Sequence, residues 1–198
     1  SRGYMWIGTY KGLSRYDGTR FKNYSRDELG GASDFINVIC EDDSGNLWIG
    51  TDNGVVIYDY KEDVFISLED FVGDGQNVPN DRIFAIARNT KGLIWISSKD
   101  TGLYSFDPIS RELTHHPMST SERALTNNIY RLALDRNDNL YLAVYCDNIY
   151  LAGSDASACR PIDIGDCSDI FKGDDVEGLA VNPKSNDVLY VASKRNGI

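Results

Sequence analysis

Short runs of alternating apolar and polar residues recur along the chain and predict β-strands. Four of them have one form, INVICED, IFAIARN, IYRLALD and VEGLAVN, beginning at residues 36, 83, 129 and 176. A period of two puts successive side chains on opposite faces, as in a half-buried strand. The Asp or Asn that ends each run favours a turn, because its side chain accepts hydrogen bonds from nearby amides. No segment has a convincing helical period, so we predict an all-β protein.

A second predicted strand carries one aromatic residue at an equivalent place in five units. The five residues are Trp6, Trp48, Trp95, Tyr141 and Tyr190, with spacings of 42, 47, 46 and 49 residues. A glycine-containing turn, a third strand and a less regular fourth strand follow. Four short strands in a unit of this length are typical of a blade of a β-propeller.

The packing of such blades assigns roles to two sets of positions. The residue two places after each aromatic residue is small, as at Gly8, Gly50 and Ser97, and small residues are expected where blades converge on a central axis. We interpret the aromatic residues as filling the space between adjacent blades. The alternative is a platform on which a sugar stacks.

The units divide the chain into a single propeller segment of about four and a half blades. We place a partial blade at 1–33, blades at 34–80, 81–126 and 127–174, and a partial blade at 175–198. An open propeller leaves strand edges and an apolar flank exposed. We therefore expect a fragment of a larger propeller.

Composition excludes several partners. The formal net charge of −10 argues against nucleic acid, because phosphate contacts need clustered Lys and Arg. No stretch approaches the roughly 18 apolar residues that cross a bilayer, and we expect no membrane contact by this segment.

The four cysteines do not indicate a metal site. Cys40 occupies a repeat position that is otherwise alanine, so we predict a small buried residue. Cys159 and Cys167 can form a disulfide in an oxidising compartment, with Cys146 as a competing partner. No CxxC or His/Cys cluster suggests zinc, and we expect no metal and no cofactor.

We predict no catalytic residue in the chain. His115 and His116 are adjacent on a predicted outer strand, and we interpret them as surface residues. The stretch 135–139 has alternating oxygen ligands but lacks the glycine and distal glutamate of a calcium loop, so we interpret it as a turn. DSGNLW at 43–48 is similar to the Asp-box hairpin of sialidases, but no pattern gathers the arginines and Tyr–Glu pair that those enzymes need.

The stretch EDDSGNLWIGTDNGVVIYD at 41–59 closely resembles the two-component regulator propeller repeat, as does MWIGTYKGLSRYDGTRFKNY at 5–24. The third unit keeps the Trp, Gly and Phe-Asp, whereas the last two units keep little beyond the strand pattern. In that family, two propellers of about seven blades each form the periplasmic sensor half of hybrid two-component systems of Bacteroides-like bacteria. A membrane helix and cytoplasmic histidine kinase and response-regulator modules follow.

The resemblance implies a function for the segment. It implies a periplasmic propeller, in the sensor part of an inner-membrane protein, that binds a glycan-derived oligosaccharide and relays the signal to a kinase outside these residues. It also implies contacts with the remaining blades and sensor domains, and a homodimer of the full-length protein. The alternatives are a scaffold for protein–protein docking without a small ligand and, third, a propeller hydrolase or lyase.

A ligand is expected on one face of the propeller, at the loops between second and third strands and the loops that join blades. The loops between second and third strands differ from unit to unit while the strands around them repeat, so they can determine specificity. The alternative is that they are ordinary solvated turns. The joining loops at 25–34, 72–82 and 118–128 can also shape a cleft. The candidate ligand-binding residues are Tyr10, Lys11, Asn53, Lys99, Asp100, Tyr145, Asn148, Lys194 and Arg195.

Overall fold

The computed structural model describes residues 3–73, 75–120, 125, 127–145, 147–163, 176–185 and 188–195, which form seventeen strands and one short helix. The first two sheets contain β1 (Met5–Thr9), β2 (Gly12–Tyr16), β3 (Phe21–Tyr24), β4 (Ile36–Glu41), β5 (Leu47–Thr51), β6 (Val55–Asp59) and β7 (Val64–Ser67), followed by α1 (Leu68–Val72). The others contain β8 (Ile83–Arg88), β9 (Ile94–Ser98), β10 (Leu103–Asp107), β11 (Glu112–His116), β12 (Ile129–Leu134), β13 (Leu140–Val144), β14 (Ile149–Ala152), β15 (Cys159–Pro161), β16 (Val176–Val181) and β17 (Leu189–Ser193).

These strands form five antiparallel sheets, each in chain order: sheet 1 (β1–β3), sheet 2 (β4–β7), sheet 3 (β8–β11), sheet 4 (β12–β15) and sheet 5 (β16–β17). The inner strands β4, β8, β12 and β16 contact one another in series, so the sheets radiate from a common axis. Sheet 1 begins with a second strand, β1, which contacts β4 as β5 contacts β8. The predicted all-β propeller is confirmed. Among the described strands no comparable contact leads from sheet 5 back to sheet 1, and the ring is not closed.

Aromatic side chains fill the space between neighbouring sheets. Trp48 and Trp95 are completely buried, and the Trp48 ring lies 5.1 Å from that of Phe106 in the next sheet. Their prediction as core residues is confirmed. It holds less well elsewhere: Trp6 and Tyr141 are half-buried, and Tyr190, on the flank of sheet 5, is 49% exposed.

The inner strands approach too closely for larger side chains at some positions. A Cβ atom added to Gly50 would lie 2.6 Å from Val38 Cγ1 in the same sheet and 2.7 Å from Ile83 Cγ2 in the next. The equivalent residue in sheet 3 is Ser97, which pairs with the smaller Ala85 in place of valine. In each pair a larger residue faces a smaller one: valine faces glycine in sheet 2, and serine faces alanine in sheet 3.

Asx turns close the hairpins between first and second strands, as the terminal Asp and Asn predict. Asp42 Oδ1 accepts hydrogen bonds from the amides of Ser44 and Asn46, both at 2.9 Å, and its Oδ2 accepts one from Trp48 Nε1 at 3.1 Å. Asp135 makes the same backbone contacts at residues 137 and 139, which supports the turn interpretation of 135–139.

Asn89 closes the equivalent turn in sheet 3, with a difference. Its Oδ1 accepts from the amides of Lys91 and Leu93, so its other terminal atom is an NH₂ group that can only donate. Trp95 Nε1 is buried and has no partner among the described residues. Asn89 therefore offers Trp95 no acceptor equivalent to Asp42 Oδ2, which accepts from Trp48 in sheet 2.

Helix α1 was not predicted from the sequence. Ser67 Oγ caps it by accepting from the Asp70 amide at 3.1 Å, while Glu69 and Asp70 lie in the first turn, where the helix dipole favours negative charge. Five residues are too few to show a helical period.

The histidines and cysteines depart partly from expectation. His115 is exposed, but His116 is half-buried against Trp95 and its Nε2 lies 2.8 Å from Ser105 Oγ, so its interpretation as a surface residue is wrong. Cys40 is only partly buried, and this burial raises the pKa of its thiol. Cys159 Sγ lies 3.0 Å from the Ser119 carbonyl oxygen. Cys167 and Cys146 lie outside the described residues, so their pairing stays a prediction.

We predict that Asn89→Asp stabilises the fold by about 1 kcal/mol, because a carboxylate supplies the missing acceptor for Trp95 Nε1. Asp42→Asn is expected to destabilise it by a similar amount, since it creates the same mismatch at Trp48. Denaturant unfolding of both variants measures the free energies. Loss of stability in Asn89→Asp would contradict the assignment.

We predict that Gly50→Ala destabilises the fold by about 1–3 kcal/mol through overpacking between β4 and β8. Adding Val38→Ala should recover part of the loss, because that pair resembles Ala85 and Ser97. Ser97→Ala, at the equivalent position, is the control and should change the midpoint little. Equal effects of Gly50→Ala and Ser97→Ala in thermal unfolding would refute the close approach.

Candidate ligand-binding face

A β-bulge recurs at the start of four inner strands. In sheet 2, Ile36 pairs with Thr51 and Val38 with Gly50, which leaves Asn37 as an extra residue. The same shift occurs in sheets 3, 4 and 5. The extra residues are Asn37, Phe84, Tyr130 and Glu177. A bulge redirects a side chain that would otherwise follow the alternation of the strand, so these four positions leave the regular pattern of the blades.

Three of the bulge residues line one pocket near the axis. This inner pocket has a volume of about 400 Å³, within the range of small-molecule sites. It opens at the end of the sheets where inner strands begin and second strands end. Its lining residues come from three consecutive sheets: Asn37, Val38, Arg82, Phe84, Ala85, Ile86, Tyr130, Arg131 and Leu132.

An aromatic group forms one side of the inner pocket. The rings of Phe84 and Tyr130 lie 4.5 Å apart and are inclined by 47°, and Tyr145 lies 5.8 Å from Tyr130. The Arg131 guanidinium lies 4.6 Å from the centre of the Tyr130 ring. Arg131 Nη1 also donates to the Tyr130 backbone carbonyl at 2.8 Å, which holds the guanidinium beside the ring.

Polar groups form the opposite side. Arg82 Nη2 lies 2.6 Å from Asp52 Oδ2, and Asn37 Nδ2 donates to Asp52 Oδ1 at 2.9 Å. Partial burial raises the pKa of Asp52, but the hydrogen bonds from Arg82 and Asn37 outweigh it and lower that pKa below its usual value. Asp52 is therefore ionised at neutral pH and is held as an acceptor.

Backbone hydrogen bonds fix the variable loops to this side of the sheets. The first residue of the loop after the second strand donates to the residue just before the inner strand. Asp52 N donates to Phe35 O at 3.2 Å, Lys99 N to Arg82 O at 2.8 Å, and Tyr145 N to Asn128 O at 2.9 Å. The loops and the bulges thus share one face of the propeller.

The nine predicted ligand-binding residues lie along this face, but the structure does not gather them in one site. None lines the inner pocket; Tyr145 stacks at its edge, and Lys99 contacts Arg82 through its backbone. Tyr10 is 80% exposed and lies near Phe35, just before β4, with ring centres 5.9 Å apart.

The remaining predicted residues serve mostly local structure. The amides of Lys11 and Asn53 donate to threonine hydroxyls at the start of their own turns. The Asp100 amide donates to Asp81 Oδ1, and Asn148 Oδ1 accepts from the Ile149 amide. Lys194 and Arg195 follow β17 and are exposed.

Sequence reasoning missed the bulge residues. The sequence signal is the second residue of each inner strand, which follows an apolar residue in every unit. It is Asn, Phe, Tyr and Glu in turn. This position changes its chemistry from unit to unit, as the third and sixth positions also do, while the first, fourth and fifth positions of the inner strand stay apolar. A uniform alternation hides it, because the bulge shifts the register by one residue.

Two other cavities are weaker candidates for a ligand site than the inner pocket. One of about 200 Å³ contains Asn53 and parts of the joining loops, residues 29–32 and 78–80. Another, of about 300 Å³ on the opposite face, contains Asp135 and Asp138, whose oxygens already accept hydrogen bonds in turns and from Thr90. The described residues include no cluster of metal ligands and no helix long and apolar enough to cross a membrane.

A comparison with protein families matches residues 30–53 to the two component regulator propeller. The chain carries a two component regulator propeller repeat. This repeat spans β4 and β5 and includes Asn37 of the inner pocket and Asp52, which pairs with Arg82. The resemblance seen in the sequence is thereby confirmed for this stretch. No curated protein sequence matches the chain significantly.

Solved structures share the propeller fold of this chain. Two are extracellular domains assigned to hybrid two component systems of B. thetaiotaomicron, with TM-scores of 0.77 and 0.76 and identities of 18% and 21%. Each match covers 98% of this chain but only 26% and 27% of the solved chains, so the chain spans about a quarter of their length. An ancestral GH74 enzyme also matches, with a TM-score of 0.69, 13% identity and coverage of 96% of this chain and 26% of its own.

Proposed function

We propose that this propeller is part of the periplasmic sensor region of a hybrid two-component signalling protein. It binds a glycan-derived oligosaccharide at the inner pocket and relays the signal to a histidine kinase outside these residues. The remaining blades and sensor domains of the same protein, in a homodimer, complete the sensor. The regulator propeller repeat and the extracellular neighbours from hybrid systems support the signalling role.

The inner pocket is the single observation that supports ligand binding most directly. Sugars offer an apolar ring face bordered by hydroxyl groups, and they are bound by aromatic surfaces flanked by fixed polar groups. The inner pocket combines Phe84 and Tyr130 with Arg82, which the adjacent Asp52 holds in place before any ligand arrives. Fixed groups lose little entropy on binding.

Protein docking without a small ligand is the competing function. It would be favoured by a large, flat apolar surface. The exposed large apolar side chains are spread over several sheets, as at Met5, Phe21, Val64 and Ile109. A concave pocket with paired charges fits a small polar ligand better.

A hydrolytic function draws support from the GH74 neighbour alone. Glycoside hydrolysis uses two carboxyl groups, one of which needs a raised pKa to act as an acid. The pKa of Asp52 is lowered instead, because Arg82 and Asn37 stabilise its charged form, so Asp52 does not supply the acid. None of the described residues that line the inner pocket carries a carboxyl group. We therefore propose a binding site without turnover.

The test is a thermal-shift and calorimetric screen of the complete extracellular region that contains this chain, against defined oligosaccharides. A ligand at one hundred times its Kd should stabilise the region by about 2.7 kcal/mol. Asn37→Trp should abolish the shift, because the indole fills the inner pocket. Asn23→Trp, at an exposed position on β3, is the matched control and should preserve it.

Each alternative has its own signature in this experiment. Binding to another protein with no stabilisation by any saccharide would support docking and overturn the sensor proposal. Release of shorter products would identify an enzyme. A shift that survives in Asn37→Trp would place the ligand away from the inner pocket.

A further inference from the structure

We infer that the inner pocket takes an uncharged saccharide, and that the bulge residues Phe84 and Tyr130 determine this specificity by forming the surface on which its ring lies. The inference rests on the proposed function and adds the class of ligand and the residues that select it. Three observations support it: the position of the bulges, the arrangement of the rings and the pairing of the charges.

The bulges make these residues available for recognition. Phe84 and Tyr130 have no partner in the register of β9 and β13, so their side chains are not required by the pairing of their sheets. Both are only half-buried and line the inner pocket, while their neighbours Ile83 and Ile129 are completely buried. Packing of the sheets therefore rests on the isoleucines, and the aromatic residues face the pocket.

The two rings meet across neighbouring sheets at an angle of 47° and form an angled aromatic wall. Their centres lie 4.5 Å apart, a contact distance for aromatic side chains. Arg131 holds Tyr130 from a further side, so the surface exists before a ligand binds. A pyranose or furanose ring presents C–H groups on one face, which lie favourably against such a surface, whereas a phosphate or a free carboxylate does not.

The cations at the inner pocket are already neutralised. Arg82 pairs with Asp52 at 2.6 Å. Arg131 donates to the Glu177 carbonyl oxygen at 2.9 Å, and its Nη2 lies 3.4 Å from Glu177 Oε2. An acidic saccharide would have to displace one of these carboxylates and approach a chain with a net charge of −10. Sugar hydroxyls can instead donate to the carboxylate and accept from the guanidinium while the pair stays intact.

The experiment measures the Kd of the complete extracellular region for two sets of oligosaccharides of equal length by calorimetry. One set is neutral, and the other carries uronic acid or sulfate groups. We expect neutral members to bind more tightly and their Kd to change less than about twofold between 50 and 500 mM NaCl, because no net charge is exchanged.

Variants test the aromatic surface. Phe84→Ala and Tyr130→Ala should each weaken neutral binding by about tenfold, while Tyr130→Phe keeps the ring and should bind nearly as the parent. Phe21→Ala removes an aromatic ring that is 60% exposed on β3, outside the inner pocket, and is the matched control. Unfolding curves check that each variant is folded.

The outcomes separate this inference from the proposed function. Tighter binding of acidic saccharides, with affinity that falls steeply with salt, would overturn the inference and leave the sensor role standing. Unchanged neutral binding in both alanine variants would overturn the role of the bulge residues. If no saccharide of either set binds, the proposed function fails and the inference fails with it.

Discussion

Burial of aromatic side chains between radiating sheets is the interaction on which the rest of the structure depends. An antiparallel sheet of four short strands has two faces to cover, and here each sheet covers the next. A buried aromatic residue removes roughly 150–250 Å² from water, which corresponds to about 4–6 kcal/mol at 25 cal/mol per Å². Exposed ion pairs such as Asp43 with Arg88 contribute about 0–1 kcal/mol each, so they orient the sheets and do not hold them together.

The sequence predicts this arrangement because the residues that recur in each unit are the ones that pack between the sheets. Trp48 and Trp95 recur at one place in the unit, and the aspartates and asparagines before them mark the turns. Helix α1 escaped prediction because a single turn capped by Ser67 has no period to detect. The exposure of Tyr190 also escaped it, because burial of that ring depends on a neighbouring sheet and not on its own.

The site was less predictable than the fold. Variation among the loops predicts a ligand on the face that also carries the inner pocket, because Tyr145 and Lys99 contact residues of that pocket. The pocket itself depends on a change of register at Phe84 and Tyr130, which apolar periodicity does not encode. Pairing of Arg82 with Asp52 also lay beyond the sequence, because those residues are 30 positions apart and meet only when two sheets are packed.

The recurring bulge has a consequence for how such a protein can change over time. The bulge residue at the start of an inner strand can be replaced without disturbing the hydrogen bonds between strands or the aromatic residues packed between sheets. Copies of one ancestral unit could therefore diverge in what they touch while remaining alike in how they assemble. Asn37, Phe84, Tyr130 and Glu177 already represent an amide, two kinds of ring and an acid on a common frame.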